Sequence, residues 1–271
     1  KVIPARLKLK KQTGGSVELL VLNKINKNVG NCLTKGLNKK IKEQTLYSDN
    51  FPVKIVIVND HEDSVEIKFS QSIDNLCDAI GHIPIPPYLN RSDEELDRDR
   101  YQSVFANDKH KNSVAAPTAS LHFDTELMNS LENKLTVCKI SLDIGLGTFK
   151  PLKDERITNK SKLHEEDFFI SDSAAKVLNK AISANKRLVA LGTTALRALE
   201  SAYDITTKKI KSGHQSTNIF IYEGYKFNVV DSLITNFHLP ESSLLMLVSA
   251  FAGKENIFNA YKYAIKNKMR F

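Results

Sequence analysis

Hydrophobic and polar positions alternate along the first eighty residues in a way that fits strands separated by polar loops. Residues 17–22 and 53–58 are apolar, β-branched runs. Between 65 and 69, Val65, Ile67 and Phe69 alternate with Glu66 and Lys68, the period-two pattern of a half-buried strand. Asn59-Asp-His-Glu-Asp63 fits a hairpin connection between the last two runs. Residues 29–50 lack clear periodicity and read as a long loop holding one short strand. Such strands close naturally into a small barrel or sandwich, which covers their edges.

The pattern changes at Ile83-Pro-Ile-Pro-Pro87, a connector that can continue neither a helix nor a central strand. It marks a predicted boundary between a small β-barrel domain over 1–80 and a substrate-binding and catalytic domain over 81–271. Ser92-Asp-Glu-Glu95 has capping-box spacing and predicts a helix through Arg98, Arg100, Tyr101 and Val104. Helical periodicity follows at 125–133, 173–184, 194–201, 244–251 and 255–268, and extended runs at 136–144, 187–191, 219–222 and 227–234. The alternation predicts an α/β domain with a mixed, largely parallel sheet, added to the small all-β barrel domain.

Composition narrows the class. A chain of 271 residues with 39 basic, 31 acidic and 41% hydrophobic residues is that of an ordinary globular protein able to bury a full core. The net charge of +8 suits a polyanionic partner. Lys262, Lys266, Lys268 and Arg270 concentrate positive charge after Glu255, which a solvated helix face explains equally well. Cys32, Cys77 and Cys138 form no C-x-x-C pair, so neither a disulfide framework nor a zinc site is supported, and a cytoplasmic location is expected. The apolar run 244–253 is too short to span a membrane. No metal is expected, because no His/Cys/Asp cluster has ligand spacing.

Several segments place polar groups where chemistry is feasible. In Thr235-Asn-Phe-His-Leu-Pro-Glu-Ser-Ser243, polar residues crowd the approach to an apolar helix, whose start is suited to an anion. A capped core helix beside a hydrogen-bonded histidine gives the same pattern. In Leu191-Gly-Thr-Thr-Ala-Leu-Arg197, Gly192, Thr193 and Thr194 lie between a strand and a helix, where α/β sheets bind ligands. Gly145-Leu-Gly147-Thr148 also follows an extended run, but Phe149 and Pro151 argue against a dinucleotide fold there. His122, His164 and His238 stand within such segments and are suited to proton transfer near neutral pH. A satisfied structural histidine is the commoner reading of any one of them. His61, His110 and His214 lie in polar loops.

Gly81-His-Ile-Pro-Ile-Pro-Pro-Tyr88, Val114-Ala-Ala-Pro-Thr-Ala-Ser-Leu-His-Phe123, Ile144-Gly-Leu-Gly-Thr-Phe149, Leu191-Gly-Thr-Thr-Ala-Leu-Arg197 and the segment from Thr235 to Phe251 occur in that order. Together they resemble the S-adenosylmethionine:tRNA ribosyltransferase-isomerase family of queuosine biosynthesis. The resemblance runs from Val2-Ile-Pro-Ala-Arg6 to Tyr261-Lys-Tyr-Ala-Ile265 and beyond. It implies transfer and isomerisation of the ribosyl group of S-adenosylmethionine, a co-substrate, onto the aminomethyl-deazaguanine (preQ1) wobble base in a tRNA anticodon arm. The products would be epoxyqueuosine-tRNA, adenine and methionine, and the enzyme a monomer.

The resemblance raises His122 and His238 as catalytic residues, with His164 and Glu165 beside them. Glu166 and Asp231 are further candidate carboxylates. Gly145, Gly147, Thr148, Gly192, Thr193, Thr194, Arg197 and Asn236 are the expected S-adenosylmethionine contacts, with Arg197 suited to the methionine carboxylate or a phosphate. Arg98, Arg100 and Tyr101 are the expected RNA contacts.

The chain departs from the family pattern in three places. Asp143 stands where the family commonly has histidine, Leu163-His-Glu-Glu166 replaces Met-His-Ser-Glu, and Tyr222-Glu-Gly-Tyr225 replaces Tyr-Pro-Gly-Tyr. Relative to the family the sequence is expected to be truncated at both ends. The alternatives are a catalytically inactive tRNA-binding fragment and another S-adenosylmethionine-dependent RNA-modifying transferase. An ordinary methyltransferase predicts a glycine-rich loop after the first strand and an acid ending the next, a pair this sequence lacks.

Overall fold

The computed structural model describes residues 1–62, 64–107, 113–143 and 165–270. The chain divides into two compact units, Lys1–Ala116 and Pro117–Phe271.

The first unit is built on six antiparallel strands, β1 (Arg6–Lys11), β2 (Ser16–Lys24), β3 (Val29–Lys35), β4 (Glu43–Ser48), β5 (Phe51–Asp60) and β6 (Val65–Phe69). They pair in the order β1-β2-β3-β6-β5-β4 and return to β1, so the barrel closes. Alternation explains the closure: Leu7 and Leu9 of β1 are buried, while Arg6, Lys8 and Lys10 face outward. Leu19, Leu46, Ile55, Ile67 and Phe69 fill the interior with no more than 1% exposure each. The barrel and the β5–β6 pairing agree with the sequence pattern. Residues 29–50 differ, since they form two strands rather than a loop with one. Their inward positions are Gly30, Cys32 and Leu46, too mixed to show a hydrophobic period, and pairing with β2, β6, β1 and β5 supplies what local propensity lacks.

Helix α1 (Ile73–Ile80), capped by Ser72, leads into the two-residue strand β7 (Gly81–His82), which pairs with β1. A Cβ on Gly81 would stand 2.0 Å from Pro4 O and 2.3 Å from Cys77 O, so only glycine allows this approach. The proline-rich connector is pinned to the first unit: Ile83 and Ile85 are buried, and the Ile83 N–H and His82 Nδ1 both bond the Asp93 carboxylate. The division between units therefore falls after Ala116, later than the composition change at 81.

The helix expected after Ser92 shrinks to one turn, α2 (Asp97–Arg100). Ser92 is no cap; its Oγ accepts from Lys8 Nζ instead, and Asp97 accepts from the Glu94 N–H while chelating Arg91.

The second unit holds α3 (Thr125–Glu132), β8 (Ser141–Asp143), β9 (Glu166–Ile170), α4 (Asp172–Ser183), β10 (Val189–Leu191), α5 (Thr193–Ala202), β11 (Tyr203–Asp204), β12 (Lys209–Ile210), β13 (Gly213–Thr217), β14 (Ser232–Ile234), α6 (Ser243–Ala252) and α7 (Lys254–Lys266). All five longer helices lie where periodicity places them. The strands are shorter and less parallel than expected. Among the described residues β10–β14 is the one parallel pair, while β13-β9-β8 and β11-β12 are antiparallel.

The runs 219–222 and 227–234 were expected as strands, yet only Ser232–Ile234 is one. Side chains occupy the backbone groups a ladder would need. Arg197 Nε bonds Ile219 O, Thr217 Oγ1 accepts from the Ile219 N–H, and Glu200 accepts from the N–H groups of Asn228, Val229 and Val230. Among the described residues no helix is long and apolar enough to cross a membrane.

Candidate active site

Parallel pairing of β10 with β14 sets the frame of the site. Leu191 lies opposite Ile234, and the Gly192 N–H bonds Ile234 O at 2.9 Å, so the turn into α5 runs beside the segment that follows β14. Gly192 adopts φ +94°, a conformation that favours glycine, and the space where a Cβ would stand is open. Among the described residues no side chain caps the start of α5, which suits its first N–H groups to an anionic group. Thr193 is buried and Thr194 half-buried.

The segment from Thr235 to His238 is held from several sides. His122 Nε2 and Asn236 Oδ1 are 2.8 Å apart, across 114 residues of sequence. The Asn236 carbonyl oxygen only accepts, so Nε2 of His122 is the donor in this contact and Nδ1 is left for another partner. Thr235 Oγ1 lies 3.3 Å from His238 Nε2, and the His238 N–H donates to Tyr261 Oη at 2.7 Å. Burial lowers the His238 pKa from 6.5 to about 4, so its ring is uncharged at neutral pH. His122, in contrast, is exposed.

Helix α6 begins just after this segment. Ser242 Oγ accepts from the Leu245 N–H, so the helix start is capped, and Ser243, Leu247 and Val248 are its buried residues. The apolar helix is thus buried along one stripe. Ser242→Ala should destabilise the protein by about 1 kcal/mol in urea unfolding, and an unchanged midpoint would mean that the cap is dispensable.

The profile of the queuosine biosynthesis protein family matches residues 1–271. The chain belongs to that family. Relatives similar to it over its whole length include proteins named S-adenosylmethionine:tRNA ribosyltransferase-isomerase. Those from Acinetobacter baylyi, Treponema denticola and Sulfurihydrogenibium sp. are 42%, 43% and 46% identical, and the match covers 79%, 80% and 79% of their lengths. A solved S-adenosylmethionine tRNA ribosyltransferase from Thermotoga maritima aligns with all of the chain and 76% of its own, at 28% identity and a TM-score of 0.45.

Of the residues expected to serve a queuosine-family site, the structure brings together His122, Asn236 and His238, with the Gly192-Thr193-Thr194 turn alongside. Gly145, Gly147, Thr148 and His164 lie outside the described residues. Arg197 is buried, with Nη1 at 2.6 Å from Glu166 Oε2, and its Nη2 has no partner among the described residues. It braces α5 against β9 and the stretch after β13. Glu166 is thereby engaged, and Asp231 accepts from the Leu188 N–H. Glu165 is exposed and accepts a hydrogen bond from Ser216 Oγ.

In the first unit Arg98 and Arg100 are exposed, Arg98 donating to Gly81 O. Tyr101 is buried at 7% exposure, and burial pushes its hydroxyl up to about 12. In this conformation its ring is not free to stack on a base.

Burial also raises the Cys32 and Cys77 thiols to about 12, so neither is a nucleophile at neutral pH. Two residues that shape the site escaped the sequence reading. Glu200 gathers the 228–230 backbone ahead of β14, and Tyr261 holds His238. Tyr261 opens one of the family segments, but neither residue shows its role locally, because each acts through a contact more than twenty residues away.

Proposed function

We propose that the chain transfers and isomerises the ribosyl group of S-adenosylmethionine onto the preQ1 wobble base of tRNA, yielding epoxyqueuosine-tRNA, adenine and methionine. The observation that carries this reading is membership of the queuosine biosynthesis family over the whole chain, with relatives of that enzyme name at 42–46% identity. The reaction needs a base for the acidified proton beside the sulfonium, a donor to assist adenine departure, and a cradle for the methionine carboxylate.

His122 supplies the base in this reading. Asn236 takes up Nε2 and leaves Nδ1 to accept the proton, and the exposure of the residue lets substrate reach it. His238, uncharged at neutral pH, is a hydrogen-bond donor or acceptor rather than a cationic acid, and we assign it to the departing adenine. The start of α5, at Gly192, Thr193 and Thr194, receives the carboxylate, and Arg197, whose Nη2 has no partner among the described residues, contributes positive charge. The donor set fits an anionic amino-acid moiety.

Glu165 is assigned to the acceptor amine, as is His164 by the family resemblance, which likewise assigns Gly145, Gly147 and Thr148 to S-adenosylmethionine. Arg98 and Arg100 meet RNA phosphates, with Tyr101 as the buried foot of their segment. The reading takes the chain as a cytoplasmic monomer, places the chemistry in the later part of the sequence, uses the barrel as a separate module, and routes no step through a metal.

Mixing the protein with S-adenosylmethionine and an anticodon stem-loop carrying preQ1 tests this by chromatography of free adenine. Adenine released only with the modified RNA is the expected result. A folded sample that binds the RNA in a salt-sensitive way yet releases no adenine would replace this reading with that of a tRNA-binding fragment. S-adenosylhomocysteine in place of adenine would mark a different S-adenosylmethionine-dependent transferase.

A further inference from the structure

Tyr261 lies on α7 and is assigned no part in the reaction above, yet it makes two contacts with the segment that carries Asn236 and His238. Its hydroxyl accepts the His238 N–H at 2.7 Å. Its ring meets Phe237 edge to face, with centroids 5.0 Å apart and planes at 84°. The two contacts fix consecutive residues, so the peptide between them has little freedom. The flanking residues are tied as well, Asn236 to His122 and the His238 ring to Thr235.

Chain geometry explains how Tyr261 arrives there. The segment runs directly into α6, and α6 turns into α7 at Gly253, which serves as the C-cap of one helix and the N-cap of the next at φ +86°. This single-residue turn folds α7 back along α6 and returns Tyr261 to the point where α6 began. Burial raises the Tyr261 pKa, although the His238 N–H opposes the shift. The phenol therefore stays protonated at neutral pH, and its oxygen serves as a neutral acceptor.

We propose that Tyr261 is a positioning residue: by clamping the Phe237–His238 backbone it sets the direction of the Asn236 and His238 side chains, and through Asn236 the orientation of His122. For catalysis this rests on the reading under Proposed function, since it assigns Tyr261 no contact with substrate. The clamp itself is a property of the folded chain and is measurable without substrate. Burial is what keeps His238 uncharged. Among the described residues the titratable groups bonded to this segment are Tyr261 from α7 and His122, through Asn236, with Glu241 following it in the chain. A clamp that keeps the ring inside the fold therefore also keeps its titration low.

Tyr261→Phe retains the ring contact and removes the acceptor. Three changes are expected in a variant that folds normally. The His238 amide should exchange with solvent at least about ten-fold faster. The His238 ring, followed by NMR, should titrate above its wild-type midpoint of about 4. In the adenine assay kcat should fall by about ten-fold or more, while KM for S-adenosylmethionine shifts by less than about three-fold, as misplaced catalytic groups produce. A passive packing role would move none of the three.

An unchanged amide and an unchanged titration in the folded variant would overturn the proposal. Should Tyr261→Phe not fold, the wild-type amide decides: protection comparable to the interior of α6 supports the clamp, and free exchange overturns it. If both NMR signatures change but the wild type releases no adenine, the clamp stands and the ribosyl-transfer reading falls.

Discussion

Replacing His238 with alanine is expected to slow adenine release by roughly 10²- to 10⁴-fold, the usual worth of a positioned proton-transfer or hydrogen-bonding imidazole. His122→Ala should cost a comparable factor. The double variant should lose far less than the product of the two, because Asn236 and the 235–238 backbone bind both residues into one unit. Folded variants that keep near-normal turnover would sink both assignments.

His238 also leaves a signature in stability. The unfolded chain takes up a proton on this ring near pH 6.5, the folded chain only near 4. Its contribution is therefore whole above pH 6.5 and is lost as pH falls from there towards 4, by up to about 3 kcal/mol. His238→Gln should accordingly lose less stability than the wild type between about pH 7 and pH 4.5 in urea titrations. Equal losses would mean that the ring charges freely in the folded state.

What the sequence revealed and what it hid have a common physical basis. Strands such as Val65–Phe69 and helices such as Asp172–Ser183 carry their own hydrophobic period, so local pattern and tertiary structure agree there. Strands β3 and β4 bury Cys32 and Leu46 amid polar neighbours, and only barrel closure reveals their inward faces. The opposite failure occurs at 219–230, where apolar residues look like strand but Arg197, Thr217 and Glu200 claim the backbone.

The site divides in the same way. His122, Asn236 and His238 stand out as candidates because they fall in distinctive segments, but no spacing rule pairs residues 122 and 236. The tyrosine of α7 and the glutamate of α5 stayed hidden because their roles exist only once distant parts of the chain have met. Arg197 shows the remaining ambiguity. At a helix start beyond a strand it looks like a ligand contact, and folding commits Nη1 and Nε to Glu166 and Ile219 O.

Glu200 carries the largest expected stability effect. Its carboxylate is buried at 5% exposure, with no cationic side chain among its described hydrogen-bond partners. Oε1 accepts from the N–H groups of Val229 and Val230, both at 3.0 Å, and Oε2 from the Asn228 N–H at 2.9 Å and the Tyr225 hydroxyl at 3.3 Å. Burial, and then the Glu200 charge, raise the Tyr225 pKa, so the phenol remains a donor. Glu200→Ala strips the acceptor from this whole turn. Each buried donor left without a partner costs about 1–3 kcal/mol. Water entering the vacated space recovers part of that, leaving an expected loss of about 3–5 kcal/mol.

Glu200→Gln should lose less than Glu200→Ala. Its amide oxygen still serves Val229 and Val230, but its NH₂ group meets the Asn228 N–H donor to donor. The damage should also reach the site, because the turn feeds β14 and β14 carries the chain to Thr235. Urea unfolding ranks the three proteins. A Glu200→Ala variant within about 1 kcal/mol of the wild type would show that solvent already satisfies these amides, and the anchor between α5 and β14 would have to lie elsewhere.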